Sequence, residues 1–258
     1  MLSYQHSYHA GNLADVHKHS LLAWALDYLT QKDKPLTYIE THSGRGLYST
    51  AHPDALKTGE AAQGILRLQS AFEPPHPYSR VLADIQKAQG PDSYPGSPAI
   101  AAALLRAQDK LHLAELHPAE FKLLAQSLRG RNTTCYNQDG FELAYSLCPP
   151  TPRRGLMLID PSYEVKADYD VIPRHMARLT KAWNVGIICL WYPLLKDRRH
   201  APMLRQLHSM FPAAFSHEVT FPPAKEGHGM VGSGLFMLNP PFGIETAATK
   251  IGGLFKKA

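Results

Sequence analysis

Apolar residues recur along the chain in patterns that predict alternating strands and helices. Residues 11–31 carry apolar side chains at helical spacing behind Asn12 or Asp15 as the N-cap, and therefore predict a helix. Compact apolar runs predict strands at 36–46 (running into a glycine turn), 110–116, 133–139, 155–160 and 185–193. Helices are predicted between these strands, at 94–108 after an initial turn, 117–129, 140–147, 168–182 and 197–210.

This alternation predicts a mostly parallel sheet with helices on both faces, because consecutive parallel strands need a crossover connection. Two further strands, at 217–221 and 234–239, lack room for a crossover helix and should form an antiparallel hairpin at the edge of the sheet. The predicted fold class is therefore α/β with a Rossmann-like architecture, in which ligands bind beyond the carboxyl ends of the strands.

Residues 51–94 interrupt the alternation. They contain two short amphipathic stretches, separated by a proline-rich segment at 74–77 and closed by Gly90 and Pro91. We interpret them as a helical insertion within a single domain that spans residues 1–258.

Composition narrows the class of protein. The chain has no run of eighteen apolar residues, and its polar first twenty residues lack the apolar stretch of a secretory signal, so we expect a cytoplasmic protein without a membrane span. The three cysteines show no CxxC spacing and are expected to be reduced thiols. A formal net charge of +5 suits a polyanionic partner, although many basic proteins bind no nucleic acid.

Polar residues follow the first four predicted strands of the parallel sheet, where their side chains should meet at one edge. A glycine turn at 41–46 follows the first strand, Glu115 ends the second, and Asp139 and Gly140 end the third. A carboxylate at the position of Glu115 can accept both hydroxyls of a ribose. Asp139 can bind the adenine amine of a cofactor, with Gly140 allowing close approach of the base. Each residue alone could be a helix cap or turn residue, but together they favour a ligand site.

The fourth strand ends in Asp160-Pro161-Ser162-Tyr163. An exocyclic aromatic amine is a poor nucleophile, because its lone pair is delocalised into the ring. The Asp160 carboxylate and the Pro161 carbonyl can accept its two N–H groups, which turns the lone pair toward an electrophile, and Asp160 can receive the released proton. Tyr163 offers a face on which a base can stack. The alternative is an ordinary strand-to-loop turn.

This motif resembles the (Asn/Asp)-Pro-Pro-(Tyr/Phe) signature of adenine-N6 methyltransferases. The chain resembles still more closely the bacterial 23S ribosomal RNA adenine-N6 methyltransferases of the J type, a family also labelled as proteins for catabolism of external DNA. The similarity runs from Met1 to about Phe242 and lies in segments of matching order and spacing: LSYQHSYHAGNLADVHKH, THSGRGLY, YPGSP, AELHP, DGF, RRGLMLIDPSYE, LWYP and GSGLFMLNPP.

The resemblance implies a Rossmann-like methyltransferase domain with a small helical insertion, which uses S-adenosylmethionine to methylate an adenine of 23S ribosomal RNA by direct transfer. It implies that Tyr4 contacts the RNA, as we also expect of Tyr163. It implies that Asp160 is the catalytic acceptor, and with Pro161 and Tyr163 from the motif itself the expected catalytic residues are Asp160, Pro161 and Tyr163. The implied cofactor contacts are His19, His42, Ser97, Glu115, Asp139, Gly140 and Asp160. No metal is required, and a monomer is expected. Lys18, beside His19, is of a type that usually faces water.

Two alternatives remain open. The family signature has a second proline where this chain has Ser162, so the chain could instead be a nucleic-acid-binding protein with weak or no catalysis. The histidines near the N-terminus invite a metal-hydrolase hypothesis, but no HExxH motif or paired carboxylate supports it.

Asn239-Pro240-Pro241-Phe242 matches the signature better than the motif at Asp160 does. It follows the last predicted strand, however, and its prolines should end that strand.

Replacement of Ser162 by proline tests the departure from the signature. A residue before proline is restricted to extended conformations, so Ser162→Pro should restrain Pro161 and its carbonyl. We expect the Ser162→Pro variant to be active and modestly faster than the wild type when initial rates of methyl transfer are compared. A slower variant would show that the loop requires the serine.

Overall fold

A seven-stranded sheet organises the part of the chain that the computed structural model describes, which is residues 5–129, 132–222 and 229–256. In chain order the strands are β1 (Thr37–Glu40), β2 (Leu47–Ser49), β3 (Ser93–Pro95), β4 (Lys110–Ala114), β5 (Thr133–Tyr136), β6 (Gly155–Ile159), β7 (Ile187–Leu195), β8 (Phe215–Thr220) and β9 (Met230–Leu238). The main sheet has the order β5-β4-β1-β6-β7-β9-β8, and β2 pairs with β3 in a separate antiparallel sheet.

The direction of the strands confirms the predicted fold class. Strands β5, β4, β1, β6 and β7 are parallel to one another, whereas β9 is antiparallel to both β7 and β8. The antiparallel C-terminal hairpin was therefore predicted correctly, but its edge strand is β8 rather than the last strand, because β9 lies between β7 and β8. The small β2–β3 sheet was not predicted, because its three-residue strands have no distinct apolar pattern.

Helices cover the sheet. They are α1 (Leu13–Thr30), α2 (Pro53–Thr58), α3 (Glu60–Gln63), α4 (Ile65–Leu68), α5 (Pro77–Gln89), α6 (Ser97–Leu104), α7 (Pro118–Ser127), α8 (Gly140–Leu147), α9 (Asp168–Ala182), α10 (Ala201–Met210) and α11 (Ile244–Phe255). Asn12 caps α1 as expected, since its side chain accepts from the backbone N–H of Asp15 at 2.8 Å. None of the described helices is both long enough and apolar enough to span a membrane.

Alternating residues of the strands build two cores, one on each face of the sheet. On β6, Leu156 and Leu158 pack with residues of α1, α5, α6 and α11, whereas Met157 and Ile159 pack with residues of α8, α9 and α10. Helices therefore lie on both faces, as the alternation of strands and helices predicted.

Residues 51–94 contain four α-helices and a short 3-10 helix (Gln69–Ala71), rather than the two short helical stretches predicted. The first predicted stretch is divided into α2, α3 and α4, and glycines separate these short helices. Gly59 adopts a left-handed φ of +69°. A Cβ at Gly64 would lie 2.1 Å from the carbonyl oxygen of Gly11, so the segment packs tightly against the entry to α1. Buried residues of α4 and α5, such as Ile65 and Tyr78, join the same core as α1.

Helix α11 was not predicted. Its helical pattern is obscured by Gly252 and Gly253, which have low helix propensity. Tertiary packing stabilises the helix despite its low propensity, because Ala248, Ile251 and Phe255 are buried in the core shared with α1. The helix follows Asn239-Pro240-Pro241-Phe242, where β9 ends as predicted.

Substitution of Gly155 tests the close contact between β6 and β1. A Cβ at this position would lie 1.9 Å from the carbonyl oxygen of Thr37. We expect Gly155→Ala to lower the free energy of unfolding by about 2–4 kcal/mol in denaturant titrations, because backbone must move. Gly253→Ala is the matched control: nothing lies within 4 Å of its added Cβ, and a gain of up to about 1 kcal/mol is expected. Equal stability of the two variants would contradict this account.

Candidate functional site

A cavity of about 1040 Å³ opens at the carboxyl ends of the parallel strands. The site residues that the sequence indicated, apart from Tyr4, all line it: His19, His42, Ser97, Glu115, Asp139, Gly140, Asp160, Pro161 and Tyr163. Tyr4 lies outside the described residues. The structure therefore brings into one cavity residues that are separated by up to 144 positions in sequence.

Glu115 lies directly after β4 and contacts the glycine turn after β1. Its Oε2 accepts the backbone N–H of Gly44 at 2.8 Å, and its Oε1 accepts that of His117 at 2.7 Å. Burial raises the pKa of Glu115 above its ordinary value, while these two N–H groups favour the ionised form. Each carboxylate oxygen has a second acceptor position, so the pair of hydroxyls of a ribose can still bind.

Asp139 is the N-cap of α8. Its Oδ1 accepts the backbone N–H groups of Phe141 and Glu142, both at 2.9 Å, which leaves Oδ2 for a donor in the cavity. A Cβ at Gly140 would lie 1.9 Å from the carbonyl oxygen of Thr41. The glycine is thus required by the packing of α8 against the end of β1, a reason that the sequence did not show.

The two histidines that the sequence assigned to the site are neutral. Burial lowers the pKa of His19 to about 3 and that of His42 to about 4. The Nδ1 of His19 is hydrogen-bonded to the hydroxyl of Tyr94 at 2.8 Å, and that of His42 to Thr41 Oγ1 at 2.8 Å. Both side chains are therefore fixed before any ligand binds.

Lys18 does not face water but is buried beside Asp160. It is only 5% exposed, and its Nζ lies 2.6 Å from Asp160 Oδ2 and 3.2 Å from Asp15 Oδ1. Burial alone would lower the pKa of Lys18, but the two carboxylates raise it above its ordinary value. The expectation of a solvated lysine is wrong because α1 crosses the sheet with this side chain turned toward the end of β6.

Tyr163 is less open than the sequence suggested. It is 8% exposed, its hydroxyl donates to the carbonyl oxygen of Trp191 at 2.7 Å, and its ring stacks on Tyr169 at a centroid distance of 4.7 Å. Its φ of +56° is unusual for a bulky residue. The surface that Tyr163 offers to a base in this conformation is therefore narrow.

Two of the described residues that line the cavity have buried polar atoms without a hydrogen-bond partner. Within the described ranges, Ser43 Oγ and His117 Nδ1 are buried and have no hydrogen-bond partner, and both residues line the cavity. Buried polar atoms are normally hydrogen-bonded, so the cavity suits a polar ligand. The same part of the chain contains no group of three or more His, Cys, Asp or Glu residues that could hold a metal ion.

Comparison with known proteins identifies the family. The model of the family "Ribosomal RNA large subunit methyltransferase D, RlmJ" matches residues 33–258. The chain belongs to this family. The family recognised from the sequence segments is therefore confirmed.

Two relatives carry the name Ribosomal RNA large subunit methyltransferase J. The one from Escherichia coli (strain K12) is 38% identical over 250 residues, which are 95% of this chain and 89% of the relative. The one from Haemophilus influenzae is 37% identical over 257 residues, which are 97% of this chain and 92% of the relative.

Solved structures support the fold. A crystal structure of a protein from Legionella pneumophila is 35% identical, with a TM-score of 0.86 over 96% of this chain and 94% of that one. A SAM-dependent methyltransferase from Agrobacterium tumefaciens shares the fold at 9% identity, with a TM-score of 0.50 over 87% of this chain and 62% of that one. The chain is thus a member of a family of ribosomal RNA methyltransferases, and it has a Rossmann-like fold.

Sequence reasoning missed Glu40, the last residue of β1. It is fully buried, where it accepts hydrogen bonds from Tyr38 at 2.8 Å and from Ser97 at 2.5 Å. Burial raises its pKa to about 8, although the two hydroxyls favour the ionised form. The sequence feature that could have indicated Glu40 is an ionisable residue within an otherwise apolar predicted strand.

The raised pKa of Glu40 predicts that stability depends on pH. Because its pKa rises from 4.5 in the unfolded chain to about 8 in the fold, its contribution is fully present below pH 4.5 and is lost as pH rises through 8. We expect the free energy of unfolding to fall across this window, and to fall less in Glu40→Gln, when both are measured by denaturant titration at several pH values. Parallel pH profiles for the two proteins would show that Glu40 titrates normally.

Proposed function

We propose that this protein transfers a methyl group from S-adenosylmethionine to the N6 amine of an adenine in 23S ribosomal RNA. The observation that carries the proposal is that Asp160 and Pro161 line the same cavity as Glu115 and Asp139. One cavity therefore contains residues that can accept hydrogen bonds from a target amine and residues that can accept them from an adenosine cofactor.

Asp160 and Pro161 would hold the amine of the target base. Lys18 Nζ donates to Asp160 Oδ2, which orients the carboxylate and leaves Oδ1 for one N–H of the amine. The carbonyl oxygen of Pro161 accepts the other, so that the nitrogen lone pair turns out of the ring plane. The Asp160 carboxylate would receive the proton that the amine loses.

S-adenosylmethionine fits the remaining groups of the cavity and supplies a methyl group on a positively charged sulfur. Glu115 would accept its ribose hydroxyls, and Asp139 Oδ2 its adenine amine. The other residues that the resemblance assigns to the cofactor are His19, His42, Ser97, Gly140 and Asp160. Neutral His19 and His42 add no positive charge beside a cationic cofactor.

Ribosomal RNA is proposed as the substrate because two relatives bear that substrate in their names. The net charge of +5 agrees with a polyanionic partner. Tyr4 is proposed to contact the RNA and Tyr163 the base.

Ser162 favours one alternative. Without the second proline, the loop that carries the Pro161 carbonyl is less restricted, and the protein could bind nucleic acid with weak or no catalysis. Measurement of product, rather than of binding, separates this alternative from the proposal.

The test incubates the protein with labelled S-adenosylmethionine and unmodified 23S ribosomal RNA or DNA, followed by mass spectrometry of the nucleosides. We expect N6-methyladenosine in the RNA, and a rate at least about 100-fold lower in Asp160→Ala, because acceptor and proton-binding group are lost together. Lys18→Met should also lose most activity, since the carboxylate loses its partner.

Asp84→Ala, which removes an exposed carboxylate on α5, is the matched control and should retain full activity. If wild-type protein binds S-adenosylmethionine but forms no N6-methyladenosine, the binding-protein alternative is correct. Full activity in Asp160→Ala would remove Asp160 from the mechanism.

A further inference from the structure

A row of four hydrogen-bonded side chains runs from the outer strand of the hairpin to the cavity. The indole Nε1 of Trp191 on β7 lies 2.9 Å from Ser233 Oγ on β9, and Ser233 Oγ lies 2.9 Å from Nδ1 of His17 on α1. Nε2 of His17 lies 2.9 Å from Nδ1 of His217 on β8. His17 and Ser233 are fully buried, whereas Trp191 lines the cavity. Four separate elements thus contribute one residue each.

Chemistry fixes the direction of the first hydrogen bond in the row. An indole N–H can only donate, so Ser233 accepts from Trp191. The hydroxyl proton of Ser233 is satisfied within the row when it is donated to His17 Nδ1. Burial lowers the pKa of His17 well below its ordinary value and also lowers that of His217, so both rings are neutral. In this arrangement neutral His17 carries its proton on Nε2 and donates it to Nδ1 of His217. All four side chains are then hydrogen-bonded.

At the cavity end, Trp191 contacts the loop of Asp160 in two ways. The Nζ of Lys18 lies 5.4 Å from the centre of the indole and 2.6 Å from Asp160 Oδ2. The backbone carbonyl of Trp191 accepts the hydroxyl of Tyr163, which has the unusual φ of +56°. A bulky residue remains in that conformation only if its surroundings hold it. Trp191 therefore restrains both ends of the segment from Asp160 to Tyr163.

We propose that Trp191 is a positioning residue for Asp160, and that Ser233, His17 and His217 fix the plane of its indole ring. The proposal rests on the proposed function, because it assumes that Asp160 holds the target amine. A cation is attracted to the face of an indole rather than to its edge, so the direction of the ring decides where Lys18 lies. Lys18 in turn orients the carboxylate. Because Ser162 replaces a restraining proline, the loop depends on these contacts.

A double-mutant cycle tests whether the row acts through the indole. Trp191→Phe keeps an aromatic face but loses the N–H, and Ser233→Ala loses its acceptor. We expect each variant to lower kcat for RNA methylation about three- to tenfold, with KM for S-adenosylmethionine unchanged, as for the loss of one hydrogen bond. The double variant should be no slower than the slower single variant, because both remove the same contact.

Two controls match these variants. Trp183→Phe removes a buried indole that donates to the carbonyl oxygen of Arg153. Arg153 precedes β6, so this contact lies at the amino ends of the strands, away from the cavity. Ser216→Ala removes an exposed hydroxyl from β8. Both should leave kcat unchanged, even if Trp183→Phe lowers the unfolding temperature. If Ser233→Ala fails to fold, the kcat of Trp191→Phe still decides the role of the indole.

Nuclear magnetic resonance of the three tryptophan indoles gives a readout that needs no RNA. The Trp191 signal is identified by its loss in Trp191→Phe. Ser233→Ala and His17→Leu should shift this signal and speed its hydrogen exchange, with the Trp183 signal unchanged.

The outcomes separate this proposal from the proposed function. Wild-type protein that methylates no RNA overturns both. If the wild type is active, three results would each overturn the positioning role alone. These are a full kcat in Trp191→Phe, a loss of kcat in the double variant equal to the product of the two single losses, and an unshifted Trp191 signal in Ser233→Ala.

Discussion

The site depends on the buried ammonium group of Lys18. A buried charge is strongly unfavourable unless it is paired, and Lys18 is paired on both sides by Asp15 and Asp160. Such a pair contributes little net stability, because desolvation offsets the attraction. Its effect is on geometry: breaking either contact would leave an uncompensated charge, so α1 and the end of β6 are held in one relative position. The cavity lies over this contact.

The remaining polar groups derive their positions from the parallel sheet. Glu115 and Asp139 lie beyond the ends of neighbouring strands, and each is already hydrogen-bonded to backbone N–H groups. These bonds fix the carboxylates before a ligand binds, which lowers the entropy lost on binding. Glu40 extends the same polar layer beneath the cavity, where Ser97 and Tyr38 satisfy its oxygens. Backbone N–H groups therefore preorganise Glu115 and Asp139, and buried hydroxyl groups hold Glu40.

Sequence predicts well what depends on neighbouring residues. The strand-end positions of Glu115, Asp139 and Asp160 followed from apolar runs, and α9 was predicted at its observed bounds. Contacts between distant residues were not predictable: Lys18 and Asp160 are 142 positions apart, and nothing near Lys18 distinguishes it from a solvated lysine. His19 and Ser97 could be named only through the resemblance to a family. Helix α11 was missed because its packing on α1, rather than its propensity, stabilises it.

The substitution at Ser162 and the position of Trp191 bear on the same constraint. A second proline would restrict the loop through the backbone itself, at a cost borne mainly by the unfolded chain. Here the restraint comes instead from contacts: Tyr163 donates to the Trp191 carbonyl and stacks on Tyr169, and Asp160 is held by Lys18. Contacts of this kind hold only while their partners are themselves fixed. The rigidity of the Asp160 loop therefore depends on β7, β9 and α1, which surround Trp191, and distant changes in these elements can reach the site.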